Sequence, residues 1–134
     1  MENWSKTVHV KSSLEAKQGQ FAMFIGRWQP LHVGHKKMFA EALLEKKNVL
    51  ICIRDIEPDV NQPFTPQEVK ANIEKEYSEL IKHNIVKVMV VPDICSVEFG
   101  RGVGYDIIER IPPTEVGEIS ATKIREQMRK DGKL

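Results

Sequence analysis

From residue 21 onward, short apolar runs alternate with amphipathic stretches. Phe21-Ala22-Met23-Phe24-Ile25 is continuously apolar and stops at Gly26, the pattern of a strand buried on both faces. Residues 34–47 place Met38, Phe39, Ala42 and Leu43 at helical spacing with charge between them, which predicts a helix. Val49-Leu50-Ile51-Cys52-Ile53 is a second buried strand, and the polar segment 54–64 after it carries the Pro, Asp and Asn of a loop. Thr65-Pro66-Gln67-Glu68 supplies an N-cap, a proline at the first helical position and the glutamate of a capping box, with Val69, Ile73, Tyr77, Leu80 and Ile81 as the inner face. Residues 85–91 read as a third strand closed by Pro92, and 107–111 as a fourth strand or a short helix. Residues 120–130 form a closing helix with Ile124 and Met128 inward.

Strands alternating with helices predict parallel crossovers, hence an α/β fold with a Rossmann-like parallel sheet flanked by helices on both faces. Residues 1–20 carry only scattered apolar positions (Trp4, Val8, Val10, Leu14) and read as an N-terminal arm before a domain spanning 21–134. The arm is either frayed or docked through Trp4 and the Val8/Val10 alternation.

Composition narrows the function classes. With 134 residues, 20 Lys plus Arg and 19 Asp plus Glu, the net charge of +1 provides no basic field for nucleic acid or membrane surfaces, so any anion site must be local. The apolar runs are far shorter than a membrane span, and the N-terminus shows no signal-peptide core, so a soluble cytoplasmic protein is expected. The two cysteines, Cys52 and Cys95, cannot form a disulfide framework or a four-thiolate zinc site, and Cys52 reads as a small core hydrophobe.

Open α/β sheets bind ligands beyond the carboxyl ends of their strands, which points to segments 27–34 and 54–64. The first contains His32-Val33-Gly34-His35 at the mouth of a helix, where unpaired N–H groups and partial positive charge favour an anion. His32 and His35 add donors and Arg27 a cation. The last helix opens with Ser120, Thr122, Lys123 and Arg125, a second helix end furnished for phosphate. Two anion-competent helix ends suit a molecule with several linked phosphates. Plainer readings exist for each: Ser120 and Thr122 as a helix cap, Lys123 facing water, Lys36, Lys37 and Lys70 as solvated surface, His9 and His83 facing solvent. The run Gly100, Gly102, Gly104 reads as a loop whose Arg101 reaches the site on closing. Zinc at His32 and His35 lacks a third ligand at suitable spacing.

His32-Val33-Gly34-His35 resembles the HxGH motif, and Ile119-Ser120-Ala121-Thr122-Lys123-Ile124-Arg125 the ISxTxIR motif, of the small nucleotidyltransferases. Gly26-Arg27-Trp28-Gln29-Pro30 is similar to the GRFQP lead-in of nicotinamide-nucleotide adenylyltransferases, and Pro63-Phe64-Thr65 to their NPFT segment. Overall length is more like glycerol-3-phosphate cytidylyltransferase. The resemblance, spanning residues 21–128, implies transfer of a nucleoside monophosphate from a nucleoside triphosphate to a small phosphorylated acceptor, with release of pyrophosphate. ATP is favoured by the lead-in. It implies Mg²⁺ as cofactor, bridging phosphates without a protein carboxylate cage, and no nucleic-acid or membrane partner. Relatives of this kind are often homodimers or larger. It implies His32, His35 and Arg125 as catalytic residues and Gly26, Arg27, Gly34, Ser120, Thr122 and Lys123 as nucleotide-binding residues. Arg54, Arg101 and Trp28 are further candidates. Two departures stand out. The arginine of the NPFTxxER pattern is missing, leaving Lys70 or Arg54 to replace it, and Trp28 replaces the usual phenylalanine as a bulkier ring expected at the pocket mouth. The competing readings are a CTP-dependent cytidylyltransferase acting on an alditol phosphate, a nucleotide-binding module without turnover and, last, a zinc-dependent hydrolase.

Overall fold

The computed structural model describes the backbone of residues 5–7, 20–98, 100, 106–110 and 121–132, and the side chains of all of these except 5–7 and 121–123. The elements in chain order are β1 (Ser5–Thr7), β2 (Phe21–Gly26), α1 (Val33–Leu44), β3 (Asn48–Arg54), α2 (Pro66–Glu76), α3 (Ser78–Lys82), β4 (Val86–Val91), β5 (Ile108–Arg110) and α4 (Ala121–Lys130). β2, β3 and β4 form a parallel sheet in that spatial order, with Phe24 opposite Ile51 and Ile51 opposite Val88. This is the α/β architecture expected, a Rossmann-like parallel sheet flanked by helices.

Strand order decides where the helices lie. Each crossover steps one strand in the same direction, so two right-handed crossovers put α1 and α2 on the same face. The contacts agree: Lys36 of α1 pairs with Glu76 of α2 at 2.7 Å, and the Phe39 and Tyr77 rings meet at 6.0 Å. Phe39, Ala42, Val69 and Ile73 pack with Val49, Ile51, Ile53 and Val86 to make the core. The expectation of helices on both faces is therefore corrected among the described residues. The alternate positions on β2 and β4, Met23 and Met89, are 55% and 46% exposed, and α4 meets the loops at the strand ends.

The local signals are realised closely. Thr65 caps α2, its hydroxyl accepting from the Glu68 amide at 3.1 Å while the Glu68 carboxylate accepts from the Thr65 amide at 3.2 Å, with Pro66 leading the helix. The apolar stripe expected to continue through Ile81 breaks at Tyr77 and resumes in α3. Cys52 is buried and Cys95 exposed, both free.

Of the two readings left open for 107–111, the structure takes the strand, outside the main sheet: β5 pairs antiparallel with β1, Lys6 opposite Glu109. Backbone pairing thus holds residues 5–7 of the arm, while Trp4, Val8 and Val10 lie outside the described residues. Arg110 of β5 reaches α1, making two hydrogen bonds to Glu45 at 2.9 and 3.0 Å and approaching Glu41 at 3.5 Å. The bond from Arg110, helped by Lys47, holds the Glu45 carboxyl down to about 2, against an opposing push from burial. Glu41 is 4% exposed and, among the described residues, neither of its carboxylate oxygens has a hydrogen-bond partner. Its charge leans on Arg110. Replacing Arg110 by Ala should therefore cost about 3 kcal/mol in urea unfolding, the scale for stranding a buried carboxylate. Adding Glu41→Leu should recover part of that loss, and a near-zero cost for the single variant would contradict the role given to Arg110.

Candidate functional site

The carboxyl ends of β2 and β3 open into a cavity of about 430 Å³. The loop after β2 contributes Arg27, Trp28 and Gln29 to its wall, and α1 contributes His35 and Met38. Arg54 comes from the end of β3, Gln62 from the following loop, and Arg125 from α4. Among the described residues three arginines and no carboxylate line it, a surface chemically suited to an anion. Asp93 offsets part of that charge by pairing with Arg54 at 2.6 Å.

The histidines build the start of α1. His32 is the N-cap: its Nδ1 accepts from the Gly34 amide at 3.0 Å, while His35 Nδ1 accepts from the His32 amide at 3.2 Å. This is a capping box made with two imidazoles, so two amides near the helix start are already satisfied by the protein itself. Because each Nδ1 is an acceptor, each neutral ring carries its proton on Nε2. The rings stack at 3.6 Å and 21°. Burial, and then the neighbouring His32, pull His35 down to about 4, and burial lowers His32 as well. At neutral pH the pair is uncharged and offers N–H donors.

Arg125 is 5% exposed, and its guanidinium donates to the Gln29 carbonyl. Burial, then Arg129, lowers its affinity for the proton from the usual arginine value. Gln29 is itself buried and clamps the other loop: its amide donates to the Phe64 carbonyl at 2.9 Å and accepts from the Phe64 amide at 3.0 Å. Arg129 adds a bond from α4 to the Val60 carbonyl. One residue thus ties both loops to α4. Gln29 stands in the lead-in motif, but the sequence assigns it no role, because a pairing 35 and 96 residues away leaves no local pattern.

The structure brings together on one cavity Gly26, Arg27, Trp28, His35, Arg54 and Arg125, with His32 stacked beside them and Gly34 buried in the first turn of α1. Trp28 is not a ring at the mouth. It is 6% exposed, because its left-handed backbone (φ 52) turns the indole inward, where its N–H donates to the Cys52 carbonyl at 3.0 Å. The room at Gly26 is filled by that indole, since a Cβ there would stand 2.9 Å from two of its carbons. Lys70 pairs with Glu74 along α2 at 4.0 Å, whereas Arg54 lines the cavity, so of the two substitutes for the missing arginine only Arg54 is at hand. Ser120 and Arg101 lie outside the described residues, as do the side chains of Thr122 and Lys123. Among the described residues no group of three His, Cys, Asp or Glu could hold a metal ion. No helix there is long and apolar enough to cross a membrane.

No family model matches the chain, and no curated protein matches it. Among solved structures it is similar to a bifunctional NMN adenylyltransferase/ADP ribose pyrophosphatase from Francisella tularensis, complexed with AMP and a manganese ion. Identity is 29% and the TM-score 0.46, with 56% of this chain covered. The match spans 23% of that larger protein.

The depressed His35 has a thermodynamic signature. An unfolded histidine titrates near 6.5, so between that value and about 4 the unfolded chain binds a proton the native state refuses. Stability from His35 is complete above pH about 6.5 and is lost as pH falls toward 4. Urea unfolding at pH 7 and pH 4.5 should show a smaller loss for His35→Gln than for the wild type. Equal losses would contradict the buried neutral imidazole.

Proposed function

We propose that this chain is a nucleotidyltransferase that moves a nucleoside monophosphate, ATP being the favoured donor, onto a small phosphorylated acceptor. The observation that carries the reading is the convergence of His35 and Arg125, one from each motif, on an arginine-rich cavity that has no lining carboxylate among the described residues. Polyphosphate is the ligand such a wall selects.

In the reaction, a phosphate oxygen of the acceptor forms a bond to the α-phosphorus while the α–β bridging bond breaks and pyrophosphate departs with the electron pair. The acceptor needs no general base, because a phosphate monoester with a second pKa of about 6 is already anionic near neutrality. Catalysis reduces to positioning and stabilising charge as it shifts toward the leaving group. His32 and His35 donate through Nε2 to the triphosphate around the reacting phosphorus. Being neutral, they do so with no cost for discharging an imidazolium. Arg125 sits where the leaving phosphates would gather, with Ser120, Thr122 and Lys123 assigned to the same task. Arg27 is assigned to the nucleotide, and Arg54 to the acceptor side of the cavity. Mg²⁺ belongs to this proposal as the counter-ion carried in by the triphosphate. The cavity wall offers it no carboxylate among the described residues. A cytoplasmic setting and a homo-oligomeric state belong to the proposal as well.

Pyrophosphate release measured with each of the four ribonucleoside triphosphates, against a panel of phosphorylated acceptors, tests the reading. Turnover with ATP is expected. Turnover with CTP and an alditol phosphate alone would move the assignment to a cytidylyltransferase, and triphosphate binding with no turnover would leave a binding module. Replacing His35 by Ala should lower kcat by roughly 10²-fold or more, the scale for losing a preorganised donor. Unchanged kcat would remove His35 from the reaction. Replacing Arg125 by Ala should chiefly weaken triphosphate binding, read by calorimetry, and unaltered affinity would misplace the second anion contact.

A further inference from the structure

Trp28 is held on three sides. Its backbone adopts a left-handed conformation at φ 52, unusual for a residue with a Cβ. Its indole N–H is spent on the Cys52 carbonyl of β3, and its six-membered ring lies against Gly26 of β2. Phe39 of α1 meets it edge to face at 5.3 Å and 66°. A further aromatic neighbour is His35, at 4.8 Å with the two planes at 90°. An indole so fixed leaves the adjoining imidazole little room to turn.

We propose that Trp28 is the positioning residue for His35: the indole closes the back of the imidazole, shields its Nδ1 bond to the His32 amide, and so holds the Nε2 proton toward the cavity. The consequence for turnover rests on the phosphate-donor role proposed for His35. The placement of the ring is a property of the free protein and is testable without any substrate. Edge-to-face packing resists rotation of the imidazole because turning it would drive ring atoms into the indole. An aliphatic side chain has no such flat wall. With it the imidazole can rotate about its Cβ–Cγ bond, exchange the His32 amide for water, and shift its proton between nitrogens. The same logic explains Gly26, since any side chain there would displace the indole from its seat.

The test uses the full chain with ¹⁵N-labelled histidine. Spectra of the free wild type are expected to show His35 as one neutral tautomer with the proton on Nε2. In Trp28→Met the proton should be distributed over both nitrogens. The kcat for pyrophosphate release should drop about 10-fold or more while the triphosphate KM stays within about threefold. Trp28→Phe, which keeps an aromatic wall, should restore the tautomer and most of kcat. Should the methionine variant not fold, Gly26→Ala, which pushes the indole aside, is read in the same way. A folded variant that keeps the Nε2–H tautomer overturns the proposal, whether kcat holds or falls. A redistributed proton with unchanged kcat supports the positioning role and instead overturns His35 as a phosphate donor. A wild type without turnover on any triphosphate counts against the proposed reaction only, and the spectra still decide the role of Trp28.

Discussion

The buried guanidinium of Arg125, bonded to the main-chain carbonyl of Gln29, is the contact on which the site depends. It joins segments 96 residues apart in the chain. A charge held away from water needs good acceptors, and a backbone carbonyl in a tight loop is a rigid one. Gln29 then passes the constraint on, because its side-chain amide satisfies both the amide and the carbonyl of Phe64. The loop after β2, the loop before α2 and the final helix therefore share one buried residue. Without that knot, Arg125 would be untied from the cavity that Arg27 and Arg54 line at the ends of β2 and β3.

Charge is divided unevenly within that cavity. The guanidiniums supply fixed positive charge, while both histidines are kept neutral by burial, His35 also by its neighbour His32. Neutral donors and permanent cations together can follow negative charge as it migrates during phosphoryl chemistry without a proton changing hands. The imidazole capping box builds the helix start and sets the tautomer together: the same Nδ1 atoms that start α1 leave each neutral ring's proton on Nε2. Charge also ties the periphery to the core, since Arg110 docks β5 and its partner β1 onto Glu41 of α1 and Glu45 at its C-cap.

Much of this was legible in the order of residues. β2, β3 and β4 stand out as apolar runs because the sheet is well buried on at least its helix side, and the Thr65/Glu68 box is a local signal that needs no tertiary context. The two loops were found because strand ends are where parallel sheets leave room for ligands. What escaped depends on spatial facts that no window of sequence contains. Helices on one face follow from strand order β2-β3-β4, which the alternation of elements does not fix. Trp28 was expected at the mouth, and only the sign of its φ turns it into the wall. The pairing of β5 with β1 spans most of the chain. The His32/His35 box could have been read, since residues three apart at a helix start are the geometry of a capping pair, with imidazole nitrogens taking the place of hydroxyl and carboxylate.

The most direct measurement of the central idea, that two distant chain segments grip one polyanion, is an amide-resolved NMR titration with a non-hydrolysable nucleoside triphosphate. Resonances of residues 32–35 and of the first turns of α4, with the Arg125 side chain, should shift together along a single saturation curve. Shifts confined to one segment, or two curves with different affinities, would contradict a shared site.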